Sequence, residues 1–372
     1  MNLLACLLSL TIPIAVVQPQ APVTAATAAP APRFPNGLPT APEFFPIGVW
    51  LQSPARAADY RALGINLYVG LYQGPTETQL QQLAAASMRV ICKQNDAALA
   101  FPGPTIVGWM HGDEPDNAQG RRWQGYLPPI PPWQIVADYE RLHRADPTRP
   151  ILLNLGQGAA WDGWHGRGDR NGRAEDYAEY LKGCDLASFD IYPVTHPHAD
   201  VKGKLEFVGR GVQRLRAAGG DHKPVWALIE TGHVHDPERR PTPAEIRSEV
   251  WIAIASGAQG IVYFAHEFEP EFAEDALLRR AEIVAGVRQL NEELLALAPV
   301  LRAPRACGEV LAEADGALAV RVHHHDGALH VLLASLQANS QRVSLRRRAV
   351  PDAPAIEFEL PGYGDRRLQL PD

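Results

Sequence analysis

The chain has 372 residues, 46% of them hydrophobic and 21% charged, and a formal net charge of −7. That composition belongs to a globular chain with a sizeable core and argues against extensive disorder. An acidic chain whose densest basic run is only Arg346-Arg347-Arg348 offers no surface suited to a nucleic acid, and that class of partner is set aside.

In chain order, the first feature is an apolar run from Leu3 to Val17, followed by an Ala-, Thr- and Pro-rich stretch from Ala21 to Ala31. This is the order of a secretory signal and a linker, so residues 1–25 are expected to be a signal peptide and 26–42 a linker, giving a secreted or periplasmic protein. No Lys or Arg precedes the run, and the plain alternative is a buried helix. Leu3-Leu4-Ala5-Cys6 has the look of a lipoprotein box, but the apolar run follows the cysteine instead of preceding it, which makes lipid anchoring the weaker reading. No later stretch is long and apolar enough to span a bilayer, so no membrane contact is expected of the mature form. Cys92, Cys184 and Cys307 each lie in or beside an apolar run, and buried free thiols are expected of them.

From Phe44 onward, short apolar runs alternate with helical stretches. The strand candidates are Phe45 to Trp50, Asn66 to Gly70, Arg89 to Lys93, Ile106 to Met110, Ile151 to Leu155, Leu186 to Ile191, Val225 to Glu230 and Gly260 to Phe264. Eight such units predict a parallel (β/α)8 TIM barrel over residues 43–299, close to the roughly 250 residues usual for that fold. Helix starts fall in the gaps. Ser53-Pro54 is an N-cap with Pro at the first helical position, and Thr242-Pro243-Ala244-Glu245 adds a capping box to the same device. The stretch from Asp116 to Trp133 is longer than a βα loop needs to be and reads as functional. Beyond about residue 300 the apolar period changes to two, with Ala317 to His323 and Ala328 to Ser335 joined by Asp326-Gly327, so residues 300–372 are expected to form a small all-β domain.

Barrels of this kind build their sites at the carboxyl ends of the strands. Two of the predicted strands run into a glutamate. Val225 to Ile229 is apolar and stops at Glu230, and Ile106 to Met110 leads through His111, Gly112 and Asp113 to Glu114 and the strand-stopping Pro115. A charge at the end of a buried strand has to be paired or used. Two carboxyl groups across a cleft are what hydrolysis of a glycosidic bond requires, one to protonate the leaving oxygen and one to attack or stabilise the anomeric centre.

In these features the chain resembles the large clan of retaining (β/α)8 glycoside hydrolases that includes many cellulases, mannanases and β-galactosidases. The resemblance covers about Phe44 to Ala298. It implies Glu114 as the acid/base after strand four and Glu230 as the nucleophile at the end of strand seven. It also implies that Tyr192, in Ser188-Phe189-Asp190-Ile191-Tyr192-Pro193, donates a hydrogen bond to Glu230; the plain alternative for that motif is a strand end with a Pro stop. The clan's usual Asn before the acid/base is Asp113 here, which leaves open whether Asp113 binds sugar, tunes Glu114 or is itself the acid.

The remaining candidates are substrate contacts. Trp50, Trp161 and Trp164 are expected to stack on sugar rings, the last two because Gly158 to His165 is too glycine-rich for a core segment. His111, Asn154, Asp190, His233, Tyr263 and His266 stand at strand ends and are expected to bind sugar hydroxyls or the carboxylates. Trp226 and Trp251 are assigned to packing, and His323, His324 and His325 to a solvated strand. Two other readings stay open: a carbohydrate-binding barrel without catalysis, and a metal-dependent hydrolase built on His111, Asp113, His233 and His235. The glycoside hydrolase reading expects no cofactor and a carbohydrate substrate as partner.

Overall fold

The computed structural model describes residues 32–121, 125–268 and 270–371, and the expected signal peptide lies outside them. Eight parallel strands form a closed barrel: β1 (Ile47–Trp50), β2 (Leu67–Val69), β3 (Arg89–Cys92), β4 (Ile106–Met110), β5 (Ile151–Leu155), β6 (Leu186–Phe189), β7 (Val225–Glu230) and β8 (Ile261–Phe264). Each strand pairs with its sequence neighbours, and β1 closes the ring on β8. Both strand faces are covered. Val69, Ile91, Leu152, Trp226, Leu228 and Val262 fill the barrel interior, while Val49, Val90, Leu153, Ala227 and Ile229 pack on the helix layer. Two buried faces explain why the strands read as continuous apolar runs rather than as alternation.

Helices follow the strands: α1 (Ala57–Arg61), α2 (Glu77–Ala85), α3 (Asp96–Ala100), α4 (Pro132–Ala145), α5 (Asp176–Tyr180), α6 (Glu206–Gly219), α7 (Pro243–Ser256) and α8 (Ala281–Ala296). Ser53 caps a short 3-10 turn leading into α1, and α7 opens with the full capping box of Thr242 and Glu245. Gly257, at φ 114°, ends α7 in a conformation that disfavours any side chain. Between β4 and α4, the long insertion carries a small antiparallel hairpin, Gln119–Arg121 with Gly125–Leu127. The stretch expected to be a linker is, from Arg33 on, held against the barrel: Arg33 donates to Asp185 at 3.0 Å and Asn36 to Thr148 at 3.0 Å.

After α8 come two antiparallel three-stranded sheets, one of β9 (Val310–Ala314), β12 (Gln341–Arg347) and β13 (Ile356–Leu360), the other of β10 (Leu318–His325), β11 (Ala328–Ser335) and β14 (Asp365–Pro371). Leu329, Val331, Leu333, Val343, Leu345 and Leu360 form the core of this unit, while Ala319, Leu332 and Ala334 join the apolar layer of the barrel helices. Asp326 and Gly327 both take positive φ, as the two-residue hairpin turn demands. Helix α7 is therefore enclosed on almost every side, with Ile246 and every residue from Glu249 to Ala255 buried. Arg247 ties it down, reaching Asp365 at 2.7 Å and Glu293 at 2.5 Å.

Two minor expectations are corrected. Cys307 is exposed, whereas Cys92 and Cys184 are buried thiols. His323 is fully buried, accepting from Arg321 Nε at 2.9 Å and bonding Ala303 O at 2.8 Å, because its strand face packs inward against the end of the barrel.

Candidate active site

The carboxyl end of β4 carries the densest group of acids. Gly112 and Asp113 are exposed at the barrel mouth and Glu114 is half-buried. In an extended strand, neighbouring side chains point to opposite faces. Here Glu114 takes a φ of 41°, a costly conformation for a non-glycine residue and doubly so before a proline. This turn lets Asp113 and Glu114 both bear on Asp190 from the end of β6, whose proton affinity both raise.

A chain of hydrogen bonds fixes the group. Asn154 Nδ2 donates to Asp113 Oδ1 at 2.9 Å, and Asn154 is itself held by the Ser188 hydroxyl at 2.6 Å. Asn117 Nδ2 donates to Glu114 Oε2 at 2.7 Å, and Trp164 Nε1 orients that amide by donating to Asn117 Oδ1 at 2.7 Å. The Tyr192 hydroxyl donates to Asp190 Oδ2 at 3.0 Å. Asp190 Oδ1 meets none of the ordinary donors among the described residues. It faces the Glu114 carboxyl, and two acids in contact must share a proton. Burial first, then the charges of Glu114 and Asp113, hold Asp190 well above the usual carboxylate range, so that proton rests on Asp190. Glu114 is pushed up to about 7, mainly by burial, with Asp113 and Asp116 adding negative charge and the bonds from Asp190 and Asn117 pulling it back.

Asp116 anchors the same loop. It is 0% exposed, accepts from Gly156 N at 2.8 Å and from the Tyr177 hydroxyl at 3.1 Å, and so clamps the end of β4 to the end of β5.

From Tyr192 a series of rings runs outward. Phe264 lies 5.0 Å from Tyr192, His266 5.0 Å from Phe264, and Phe268 and Phe272 sit 5.9 Å apart at the outer end. The last two are 49% and 62% exposed. Burial pulls the His266 imidazole down to about 4, so that ring is neutral at physiological pH. At the outer end of this series the two neighbouring exposed phenylalanines form an apolar platform.

Several candidates have other places. Glu230 is 0% exposed, its carboxylate enclosed at the end of β7. It accepts from Val194 N at 2.6 Å, Thr195 N at 3.0 Å and the Thr195 hydroxyl at 2.6 Å, and its acidic neighbour is Glu249 of α7. Tyr192 donates to Asp190 rather than to Glu230. Trp50, 2% exposed, belongs to the barrel interior under the site. Trp161 is 7% exposed and packs on His196 and His198 at 5.3 and 4.9 Å, so its glycine-rich loop folds inward. Trp164 acts through Asn117 rather than as a platform. His111 points to Gly183 O at 2.8 Å and His233 Nδ1 to the carbonyls of Asp236 and Arg239, while the Tyr263 hydroxyl donates to Asn291 at 2.7 Å in the helix layer. His111 and His233 are thus committed to backbone carbonyls and do not gather with Asp113 and His235. Among the described residues no group of three or more His, Cys, Asp or Glu is arranged to hold a metal ion.

With this geometry, three solved structures can be compared with the chain. A GH42 β-galactosidase from G. stearothermophilus aligns at a TM-score of 0.58 and 9% identity, over 89% of this chain and 98% of that one. AmyP in complex with maltose aligns at 0.52 and 10%, over 89% and 97%. The α-amylase of Geobacillus thermoleovorans complexed with acarbose aligns at 0.51 and 12%, over 90% and 100%. The likeness is one of fold. No sequence family profile and no curated protein matches the chain.

Asn117, the Asp190–Glu114 contact and the Phe268–Phe272 platform are the parts of the site that sequence reading missed. Asn117 could have been sought in the turn that follows Glu114, and the two phenylalanines in the loop that extends β8. The pairing of Asp190 with Glu114 has no local signal, since it joins two strand ends that are not adjacent in the barrel.

Proposed function

We propose that the chain is a glycoside hydrolase that cleaves O-glycosidic bonds, with Glu114 as its general acid and base. The observation that carries this reading is Glu114 itself, a carboxyl reaching the barrel mouth and raised to about 7 by burial and neighbouring acids. An acid in that range holds a proton for the leaving oxygen at neutral pH and, once ionised, is basic enough to activate water. Asp113, exposed and oriented by Asn154, supplies the second carboxylate at the anomeric centre. Asp190 and Tyr192 hold the position and proton affinity of Glu114 from beneath. Phe268 and Phe272 stack on a sugar ring. The same fold carries maltose in one solved structure and acarbose in another, which supports a carbohydrate substrate. The expected course is a double displacement with retention at the anomeric carbon, Asp113 taking the part first read onto Glu230, and the setting is the secreted one that the N-terminal run suggests.

The test is a panel of 4-nitrophenyl glycosides and soluble polysaccharides, with wild type and Glu114→Gln side by side. Glu114→Gln should lose about 10²- to 10⁴-fold in kcat/KM, the usual worth of general acid–base catalysis, with no fall in melting temperature. Proton NMR of the first product formed should show the anomer of the substrate; the opposite anomer would assign inversion, with Asp113 as the base. Equal turnover by the variant would overturn the role of Glu114. Binding without cleavage by wild type would identify a carbohydrate-binding barrel instead.

A further inference from the structure

Glu230 looks, from its place in the chain, like a nucleophile, and its surroundings make it something else. It is still paired in the β7–β8 ladder, opposite Phe264, and its carboxylate is fully enclosed. Two backbone amides and one hydroxyl, all from Val194 and Thr195, point at it. The next contact is Glu249, 0% exposed, and no ordinary donor among the described residues reaches either of its carboxyl oxygens. Helix α7 is enclosed between the barrel and the C-terminal sheet, so Glu249 has no path to water. A buried acid with no donor keeps its proton and offers it to the nearest acceptor, here Glu230. Both oxygens of Glu230 are thus occupied by donors of the β6 loop.

What those donors belong to gives the arrangement its meaning. Val194 and Thr195 follow Tyr192 by two and three residues, across Pro193, and Tyr192 bonds Asp190, which faces Glu114. On the far side, His196 is tied by its Nε2 to Gln157 at 2.7 Å. The β6 loop that presents Asp190 and Tyr192 is therefore held at its middle by Glu230.

We infer that Glu230 is a positioning residue: by gripping the amides of Val194 and Thr195 it sets Asp190 and Tyr192 against Glu114, and it takes no part in bond breaking. The inference rests on Glu114 as the acid of a glycoside hydrolase and concerns how that acid is kept in place. Glu249 completes the grip by supplying the last hydrogen bond from α7.

The experiment compares Glu230→Gln, which keeps a carbonyl oxygen for one of the two amides, with Glu230→Ala, which keeps neither acceptor. Glu230→Gln is expected to retain at least about a tenth of wild-type kcat on the aryl glycosides, and Glu230→Ala to lose 100-fold or more. Infrared difference titration of the carboxyl stretch reads Glu114 without any substrate, its band being the one absent from Glu114→Gln. In Glu230→Ala its midpoint should rise above the wild-type value as Asp190 withdraws, and in Glu230→Gln it should stay. A purely structural loss would lower the yield of folded protein and leave the midpoint alone. Azide is the counter-test. A thousand-fold loss in a folded Glu230→Gln, with azide restoring turnover of Glu230→Ala as a glycosyl azide, would make Glu230 the nucleophile and overturn the inference. Unchanged midpoints in both variants would overturn it too. If Glu114→Gln keeps full activity, the role of Glu114 as the acid fails on its own, and the infrared comparison still decides whether Glu230 holds Asp190.

Discussion

Two pairs of touching acids stand out among the described residues, Glu114 with Asp190 at two strand ends and Glu230 at a strand end with Glu249 of α7, and each pair holds a proton that water would have taken. In both, burial raises the more ionised member to about 7. They differ in what surrounds them. Glu114 is reached from the barrel mouth, and Asp113 beside it is exposed. Glu230 is sealed behind the β6 loop, with Val194 and Thr195 turned toward it and α7 closed over Glu249. A raised pKa is therefore only half of a catalytic acid. The other half is access from solvent, and Glu114 has more of it than the fully buried Glu230.

Removing Asp190 should sharpen that contrast most. The alkaline limb of the kcat/KM profile is expected near 7, from loss of the Glu114 proton. Asp190→Ala removes a donor that favours ionised Glu114, so the limb should move to higher pH while kcat falls about 10- to 100-fold. A limb moving to lower pH would mean that Asp190 acts as a negative charge instead of a proton donor.

The platform is the next test. Phe268→Ala together with Phe272→Ala should raise KM about tenfold and leave kcat within about twofold, since two exposed rings bind the ground state and transition state alike. Loss of kcat alone, with KM unchanged, would place the substrate elsewhere.

The smallest effect expected is on stability at the closed pair. A carboxyl whose folded pKa is raised contributes stability that is full below its unfolded value and is lost as pH rises through the folded one. For Glu230 that loss runs from the ordinary carboxylate range up through about 7, and for Glu249 it continues at higher pH. Glu249→Gln removes one such acid and still gives Glu230 a donor. Its melting temperature should match wild type near pH 4.5 and exceed it by a few degrees at pH 8–9. An equal deficit at every pH would show that Glu249 packs without donating a proton.

The barrel was legible because its signals are local. The eight apolar runs, the capping box at Thr242 and the Asp326-Gly327 turn each specify their own element, and all reappear within a residue or two of where periodicity puts them. Asp113, Glu114, Asn154, Asp190 and Tyr192 could be nominated because strand ends of a barrel converge. What they do there could not be read, since it depends on pairings such as Asp190 with Glu114. The aromatic candidates failed for a related reason. Trp161 lies in a glycine-rich segment that looks exposed, yet His196 and His198 from the β6 loop cover it.

By itself, the sequence determined that this chain is a barrel with a β appendage and which residues end its strands, because strand, turn and cap preferences act over a few neighbouring residues. Only the tertiary structure decided which glutamate meets solvent. Exposure and proton sharing depend on groups far apart in the chain, here a loop after β6 and a helix after β7. The same motif, an apolar strand leading to Glu, is open at Glu114 and closed at Glu230 because of what the rest of the fold lays over it.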